Sequence, residues 1–343
     1  MTAGGRAGGS GLVLAIETSC DETAAAVVLE GREVLSSVVS SQVDLHARFG
    51  GVVPEIAGRA HVERIVPVVA EALERAGLGP VGPVGAVAAT VGPGLSGALL
   101  VGVSFAKSLA LCWDVPFVGV NHLEGHLYAS LLEEPDLPLP AVVLLVSGGH
   151  TLVVAMSGPG AYEVLGGTVD DAAGEAFDKV ARFLGLGYPG GPGIERAAAA
   201  GDPSAVPLPR PMISDGLDLS FSGLKTAVVQ HVTRNPRVAT PDVAASFQAA
   251  AVEVLVAKAL AACEASGARS VCLAGGVAAN GPLREALLGA CASRGLRCFL
   301  PSREMCTDNA AMIGAAAWTR LASDGPTPLD AGAEPGLRFP GGG

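Results

Sequence analysis

Positive charge is scarce in this chain. Its 343 residues carry 22 Lys and Arg against 33 Asp and Glu, a formal net charge of −11. A field of that sign repels polyanions, so the protein as a whole is no unaided nucleic-acid binder. A nucleic-acid role would need a local basic patch or a helper subunit. Paired cysteines are also lacking. The seven thiols, Cys20, Cys112, Cys263, Cys272, Cys291, Cys298 and Cys306, are odd in number and include no Cys-x-x-Cys. That excludes a cysteine zinc knuckle, argues against a disulfide framework and fits a reducing compartment. There is no Gly-x-x-x-x-Gly-Lys-Ser/Thr loop and no Gly-x-Ser-x-Gly elbow. A charge-free stretch runs from Gly77 to Ala106, but Pro80, Pro83 and Pro93 interrupt it. Strand, turn and helix suit it better than a membrane span, and the protein is expected to be soluble and cytoplasmic.

What is abundant is apolar surface. Half the residues are hydrophobic and only 16% are charged, a globular composition long enough for two cores. Short apolar runs at Leu12 to Ile16, Ala24 to Leu29 and Val34 to Val39 read as three consecutive strands. A fourth, Ala86 to Val91, leads through Gly92-Pro93-Gly94 into a helix from Ser96 to Trp113, and Val115 to Val120 follows as a fifth. The order then repeats. Ala141 to Val146, Thr151 to Met156 and Tyr162 to Leu165 precede Ser270 to Ala274, a glycine turn, a helix from Pro282 to Ser293, and Leu296 to Leu300. A duplicated α/β lobe is the simplest account of such a repeat. The expected division is a disordered extension over 1–11, a first lobe over 12–138, a second over 139–330 with an insert near 168–241, and a flexible tail over 331–343.

Four turns fall at the carboxyl ends of predicted strands: Glu17 to Thr23, Gly92 to Gly97, Ser147 to His150 and Gly275 to Gly281. Ligands of α/β folds collect at such ends, and glycine N–H groups suit phosphate oxygens. Across a cleft between two lobes, these turns predict a nucleotide or adenylate guest. Asn280 is placed either to bond that guest or to cap the following helix.

Asn121-His122-Leu123-Glu124-Gly125-His126 carries the other signal. Imidazoles four residues apart share one helix face, and Asn121 with Glu124 has the form of a capping box. The spacing allows a shared metal ion and equally allows a polar helix surface. The third ligand is best sought in Cys306-Thr307-Asp308-Asn309, where Asp308 either ligates or caps the helix Ala310 to Leu321. Two imidazoles and a carboxylate with open positions suit ferrous iron or zinc.

These motifs together resemble one family. Ile16-Glu17-Thr18-Ser19-Cys20-Asp21-Glu22-Thr23, His122-Leu123-Glu124-Gly125-His126, Leu145-Val146-Ser147-Gly148-Gly149-His150-Thr151, Asp171 to Lys179, Phe221-Ser222-Gly223-Leu224-Lys225 and Ala274 to Asn280 look like TsaD, the tRNA N6-adenosine threonylcarbamoyltransferases. The resemblance implies a duplicated actin-like, sugar-kinase-like (ribonuclease H-like) α/β fold with a cleft between lobes. It implies an acyltransferase that moves threonylcarbamoyl from threonylcarbamoyl-AMP to N6 of the adenosine 3′ to the anticodon, in tRNAs reading codons that start with A. It implies one divalent metal ion, Fe2+ before Zn2+, held by His122, His126 and Asp308. It also implies adenylate contacts at Leu145, Val146, Ser147, Gly148, Gly149, Asp178, Gly191 and Asn280. Glu195 stands where some relatives carry Asp. The implied partners are tRNA, a TsaB-like paralogue, a TsaE-like ATPase and a TsaC-like synthase that supplies the intermediate.

Glu17 and Asp21 are candidates for taking up the amine proton, and each equally reads as a cap or a structural carboxylate. Arg182, Arg210, Lys225, Arg234 and Arg237 form the candidate basic patch for tRNA. Two other activities share parts of the pattern. A sugar-kinase-like phosphotransferase would have the same fold, but its usual first-turn Asp-x-Gly is Glu17-Thr18-Ser19 here. A metallopeptidase would use His122-x-Glu124-x-His126, but Glu124 is two residues from each imidazole and points off their shared face.

Overall fold

The sequence pattern closes into two five-stranded sheets with the same strand order. The computed structural model describes residues 11–79 and 84–341, so the extension over 1–11, apart from Gly11, lies outside the described residues, as do Gly342 and Gly343. The strands are β1 (Leu12–Glu17), β2 (Glu22–Leu29), β3 (Glu33–Ser41), β4 (Ala86–Gly92), β5 (Phe117–Asn121), β6 (Ala141–Val146), β7 (Thr151–Gly158), β8 (Ala161–Gly167), β9 (Ser270–Ala274) and β10 (Arg297–Phe299). The helices are α1 (Val43–Ala47), α2 (Pro54–Arg75), α3 (Ser96–Trp113), α4 (His122–Glu133), α5 (Ala173–Phe183), α6 (Gly190–Ala198), α7 (Ser222–Arg234), α8 (Thr240–Ser266), α9 (Gly281–Ser293), α10 (Arg303–Cys306) and α11 (Ala310–Ser323).

The first sheet runs β3-β2-β1-β4-β5 and the second, read from its other edge, β8-β7-β6-β9-β10. In each, the first three strands are an antiparallel meander and the last two join in parallel. The internal duplication read from the apolar runs is therefore a duplication of topology.

The chain forms two compact units. The first contains the described residues up to His46, Val52–Pro135 and Asp308–Pro340. Alternating strand residues serve opposite faces of its sheet. Leu14, Ile16, Ala25 and Val27 pack with Ile65, Val68 and Leu73 of α2 and Val103 and Ala106 of α3. The other face is covered by α4 and α11, with Ala15 and Val28 set against Gly314. The second unit contains Ala47–Gly51 and Asp136–Thr307. Its core joins β6, β7 and β9 to α5, α6, α7 and α8.

Two boundaries differ from the sequence reading. Asp308–Pro340 returns to the first unit, because the Ala-rich α11 lies flat on β1, β2 and α4. The tail expected to be flexible runs along that unit: Glu334 N–H donates to the Val91 carbonyl at 2.7 Å, and Phe339 is buried. Helices α2 and α8 were not anticipated. α8 is apolar on nearly all sides because it is enclosed in the second core, so it shows no amphipathic stripe. By length and composition α3 and α8 could cross a membrane. α8 is mostly buried inside its unit, and α3 packs on β4 and α2.

α4 and α11 approach closely at Gly125, where a Cβ would stand 2.7 Å from Ile313 Cδ1 and 3.3 Å from Met312 Cγ. The Ile313 terminus can swing away from one methyl group, but not from a branched side chain. Gly125→Val is expected to cost about 1–3 kcal/mol by overpacking. It should lower the urea midpoint without changing the slope, and Gly125→Ala should stay near wild type.

Candidate metal centre

β5 ends at Asn121 and α4 begins at His122. The Asn121 Oδ1 accepts from Leu123 N at 3.0 Å and Glu124 N at 3.3 Å, so the expected N-cap forms and starts the helix where the imidazoles are needed. One turn apart, the rings of His122 and His126 meet edge to face, with centroids 4.8 Å apart. The close packing of α11 on α4 brings in the third group. Asp308 Oδ1 lies 3.1 Å from His126 Nε2 and 3.5 Å from His122 Nε2. Asp308 does not cap α11. Asn309 does, its side chain accepting from Met312 N at 3.0 Å, which leaves the aspartate carboxylate to face the imidazoles.

The donor set fits a metal ion. With metal–ligand bonds of about 2.0–2.2 Å, neighbouring ligand atoms sit about 3.0–3.4 Å apart. The three donor atoms here all lie within 4.8 Å of one another. His126 is fully buried; its Nε2 meets only the Asp308 carboxylate, and its Nδ1 has no hydrogen-bond partner among the described residues, a costly arrangement unless something else engages it. Electrostatics point the same way. Burial disfavours a charged His122, but the Asp308 and Glu17 carboxylates outweigh it and lift its value to about 9. Burial, with Asp308 and Asp21 close by, pushes the Glu22 carboxyl up to about 10. A dication placed among these carboxylates would meet that excess of negative charge.

The sequence reading missed the shell behind the ligands. His122 Nδ1 lies 3.0 Å from Glu17 Oε2 and 3.2 Å from Ser19 Oγ. Glu17 is fully buried and also accepts from Thr90 Oγ1 and Ser19 N, both at 2.5 Å. Burial opposes its ionisation, but His122 and Thr90 hold it below the usual carboxylate range. A carboxylate on Nδ1 fixes the tautomer and leaves Nε2 facing the centre. Glu17, a candidate proton acceptor in the sequence, is thus engaged in orienting His122. The signal was present in Glu17-Thr18-Ser19, but the partner of a buried carboxylate is not legible from its neighbours in sequence. Glu124 is buried and paired with Arg320, away from the imidazole pair, as the helical spacing required. Cys306 is not part of the cluster.

The nine candidate adenylate residues all fall in the second unit, around the carboxyl ends of β6 and β9. Leu145 and Val146 are fully buried strand residues, while Gly148 and Gly149 are exposed with nothing within 4 Å of a built Cβ. Asp178 Oδ1 accepts from Gly190 N at 2.7 Å, beside Gly191. Asn280 caps α9 by accepting from Leu283 N at 3.0 Å, and its Nδ2 donates to Gln248 at 2.9 Å and Glu195 at 3.1 Å. Glu195 also accepts from Gly281 N at 3.2 Å, so the longer carboxylate closes the start of α9.

The basic patch is smaller than the sequence suggested. Arg210 is paired in bidentate fashion with Glu253, Lys225 with Asp171, and Arg182 donates to the Gly50 carbonyl. Arg234 and Arg237 remain exposed.

A family model described as TsaD, tRNA N6-adenosine threonylcarbamoyltransferase, matches residues 33–315. The chain belongs to the TsaD family. The tRNA N6-adenosine threonylcarbamoyltransferase of Symbiobacterium thermophilum is 57% identical over 95% of this chain and 96% of its own length. That of Moorella thermoacetica is 56% identical over the same shares. Among solved structures, T. kodakarensis HypF aligns with a TM-score of 0.63 over 92% of this chain and 48% of that one, at 14% identity. That likeness shows a shared fold. In this TsaD chain a His-His-Asp cluster that could hold a metal ion coexists with the duplicated sheet topology.

Two outcomes are expected. His126→Ala should weaken Zn2+ or Co2+ binding, read by titration calorimetry, by more than the roughly 10–100-fold cost of losing an outer-shell partner. The second concerns Asp171, which bridges Lys179 and Lys225 at 2.8 and 2.5 Å. Burial opposes its ionisation, but the two lysines outweigh it and lower its value. A lowered carboxylate contributes full stability above its unfolded value, near 4, and loses it as pH falls through the lower folded value. Asp171→Asn should therefore lower the melting temperature at neutral pH and narrow the gap to wild type below about pH 4, in a melting series across pH.

Proposed function

We propose that this protein transfers threonylcarbamoyl from threonylcarbamoyl-AMP to N6 of the adenosine 3′ to the anticodon in tRNAs reading codons that start with A. Family membership at 57% identity over nearly the whole chain supports the reading. The observation that carries it is the convergence of His122, His126 and Asp308 on one small volume. The metal these residues would hold is Fe2+, with Zn2+ second, since two imidazoles and one carboxylate leave open positions for ligand oxygens. When bound, it supplies Lewis-acid stabilisation to oxygens of the activated acyl nucleotide.

The acyl donor is a mixed anhydride with AMP as leaving group, and the exocyclic adenine amine is a weak nucleophile. Orientation and charge stabilisation are therefore what the protein must contribute. Glu17 and Ser19 hold His122, and Asn121 fixes the start of its helix. In the second unit, the backbone of Leu145 to Gly149 would hold the phosphate and acyl side, with Ser147 as a polar contact and the exposed Gly148 and Gly149 admitting close approach. Asp178 would bond ribose hydroxyls. Gly191 admits the sugar beside Asp178, and Asn280 and Glu195 fix the glycine turn that faces it.

The net charge of −11 limits unaided tRNA binding. A TsaB-like paralogue, a TsaE-like ATPase and a TsaC-like synthase complete the cytoplasmic reaction. Depletion of the protein followed by mass spectrometry of tRNA nucleosides tests the reading. Threonylcarbamoyladenosine should disappear and return with the wild-type chain. Unchanged levels after depletion would refute it.

A further inference from the structure

The last stretch of the first unit runs against the metal centre from behind. The Glu334 N–H donates to the Val91 carbonyl at 2.7 Å, and the Pro335 carbonyl accepts from Gly94 N at 3.2 Å. The Arg338 carbonyl accepts from Asn121 Nδ2 at 2.9 Å. Further upstream, the Lys107 ammonium donates to the Ala331 carbonyl. The segment lies so close to β4 that a Cβ at Gly92 would stand 2.0 Å from the Glu334 oxygen and 2.8 Å from Leu337 Cβ. Phe339 is 7% exposed. Residues 334–339 also lie beyond 33–315, the part matched by the family model.

Two of these contacts lead to the same imidazole. Asn121 uses its oxygen to start α4 and its nitrogen to bond the strap, so one side chain joins the strap to the helix start that carries His122. Gly94 backs onto Ser19: a Cβ there would stand 2.6 Å from the Ser19 carbonyl, which accepts from Leu95 N at 2.8 Å. Ser19 in turn contacts His122 Nδ1. We propose that the strap Glu334–Phe339 is a positioning element for the metal centre, fixing the His122 ring through Asn121 on one side and through Gly94 and Ser19 on the other. The proposal rests on the reading that His122, His126 and Asp308 hold a metal.

Two variants of the full chain separate tethering from capping. Asn121→Ser keeps a capping oxygen but has no amide nitrogen for the Arg338 carbonyl. Truncation after Ala333 removes the strap and leaves Asn121 intact. Co2+ affinity and the visible absorption of the bound ion are measured for wild type, each variant and their combination, with amide exchange at Leu123 and Glu124 alongside. Each single change is expected to weaken Co2+ binding about tenfold, as an outer-shell loss does. Both should alter the absorption band in the same way and speed exchange at the two amides. The combination should be no worse than the truncation, because the contact that Asn121→Ser removes is one the truncation has already removed. Wild-type affinity and spectrum in Asn121→Ser, or losses that add in the combination, would overturn the proposal. If the truncated chain does not fold, Asn121→Ser alone decides. A wild-type protein that binds no Co2+ refutes the metal reading itself. Amide exchange then judges the strap separately, and unchanged exchange in the variants would refute it.

Discussion

The contact between α4 and α11 is the constraint on which the site depends. One helix carries both imidazoles and the other is preceded immediately by the aspartate. Neither helix alone makes a ligand set. Gly125 lets the two backbones approach, and the Ala-rich face of α11 lets it lie against β1 and β2. A core-packing requirement and a coordination requirement are thereby satisfied by the same few residues. Interiors transmit small displacements because they are close-packed, so the spacing of the three candidate donors is set by helix packing.

Behind the ligands is a chain of hydrogen bonds whose members come from separate strands. Glu17 closes β1, Thr90 lies in β4 and Asn121 closes β5. The three strands are neighbours in the sheet, in the order β1-β4-β5. Their carboxyl ends therefore present Glu17, Thr90 and Asn121 along one edge, where parallel α/β sheets usually keep their functional groups. The second unit repeats this plan with a different cargo. At the ends of β6 and β9 it places an exposed glycine pair and an asparagine cap in place of a buried carboxylate.

Much of this was legible in the amino-acid order, and the reasons differ by element. The strands were readable because short apolar runs bounded by turn residues have few other uses. The His122 helix was readable because its cap, its spacing and its preceding strand agree. The closure of Asp308 onto that helix was suggested by a ligand-type residue next to an apolar helix, but its geometry comes from packing that no local pattern encodes. α8 was illegible because complete burial removes the polar stripe that marks most helices. The tail was misread for the opposite reason. Its Pro and Gly content resembles a loose end, yet its backbone groups pair with β4, the Asn121 side chain of β5 and the turn between β4 and α3. The basic patch was overestimated because a sequence shows cations without showing which of them already face carboxylates.

The first unit is discontinuous: 172 residues, from Asp136 to Thr307, separate its two major parts. During synthesis the imidazole pair leaves the ribosome long before its carboxylate partner, and the whole second sheet is made in between. Until Asp308 is made, a nascent chain therefore offers a passing cation the two imidazoles without this carboxylate. Any ion that these three residues hold would in this way be gained only after the second sheet has been made, and a product terminated before Asp308 would carry the histidines without their carboxylate partner.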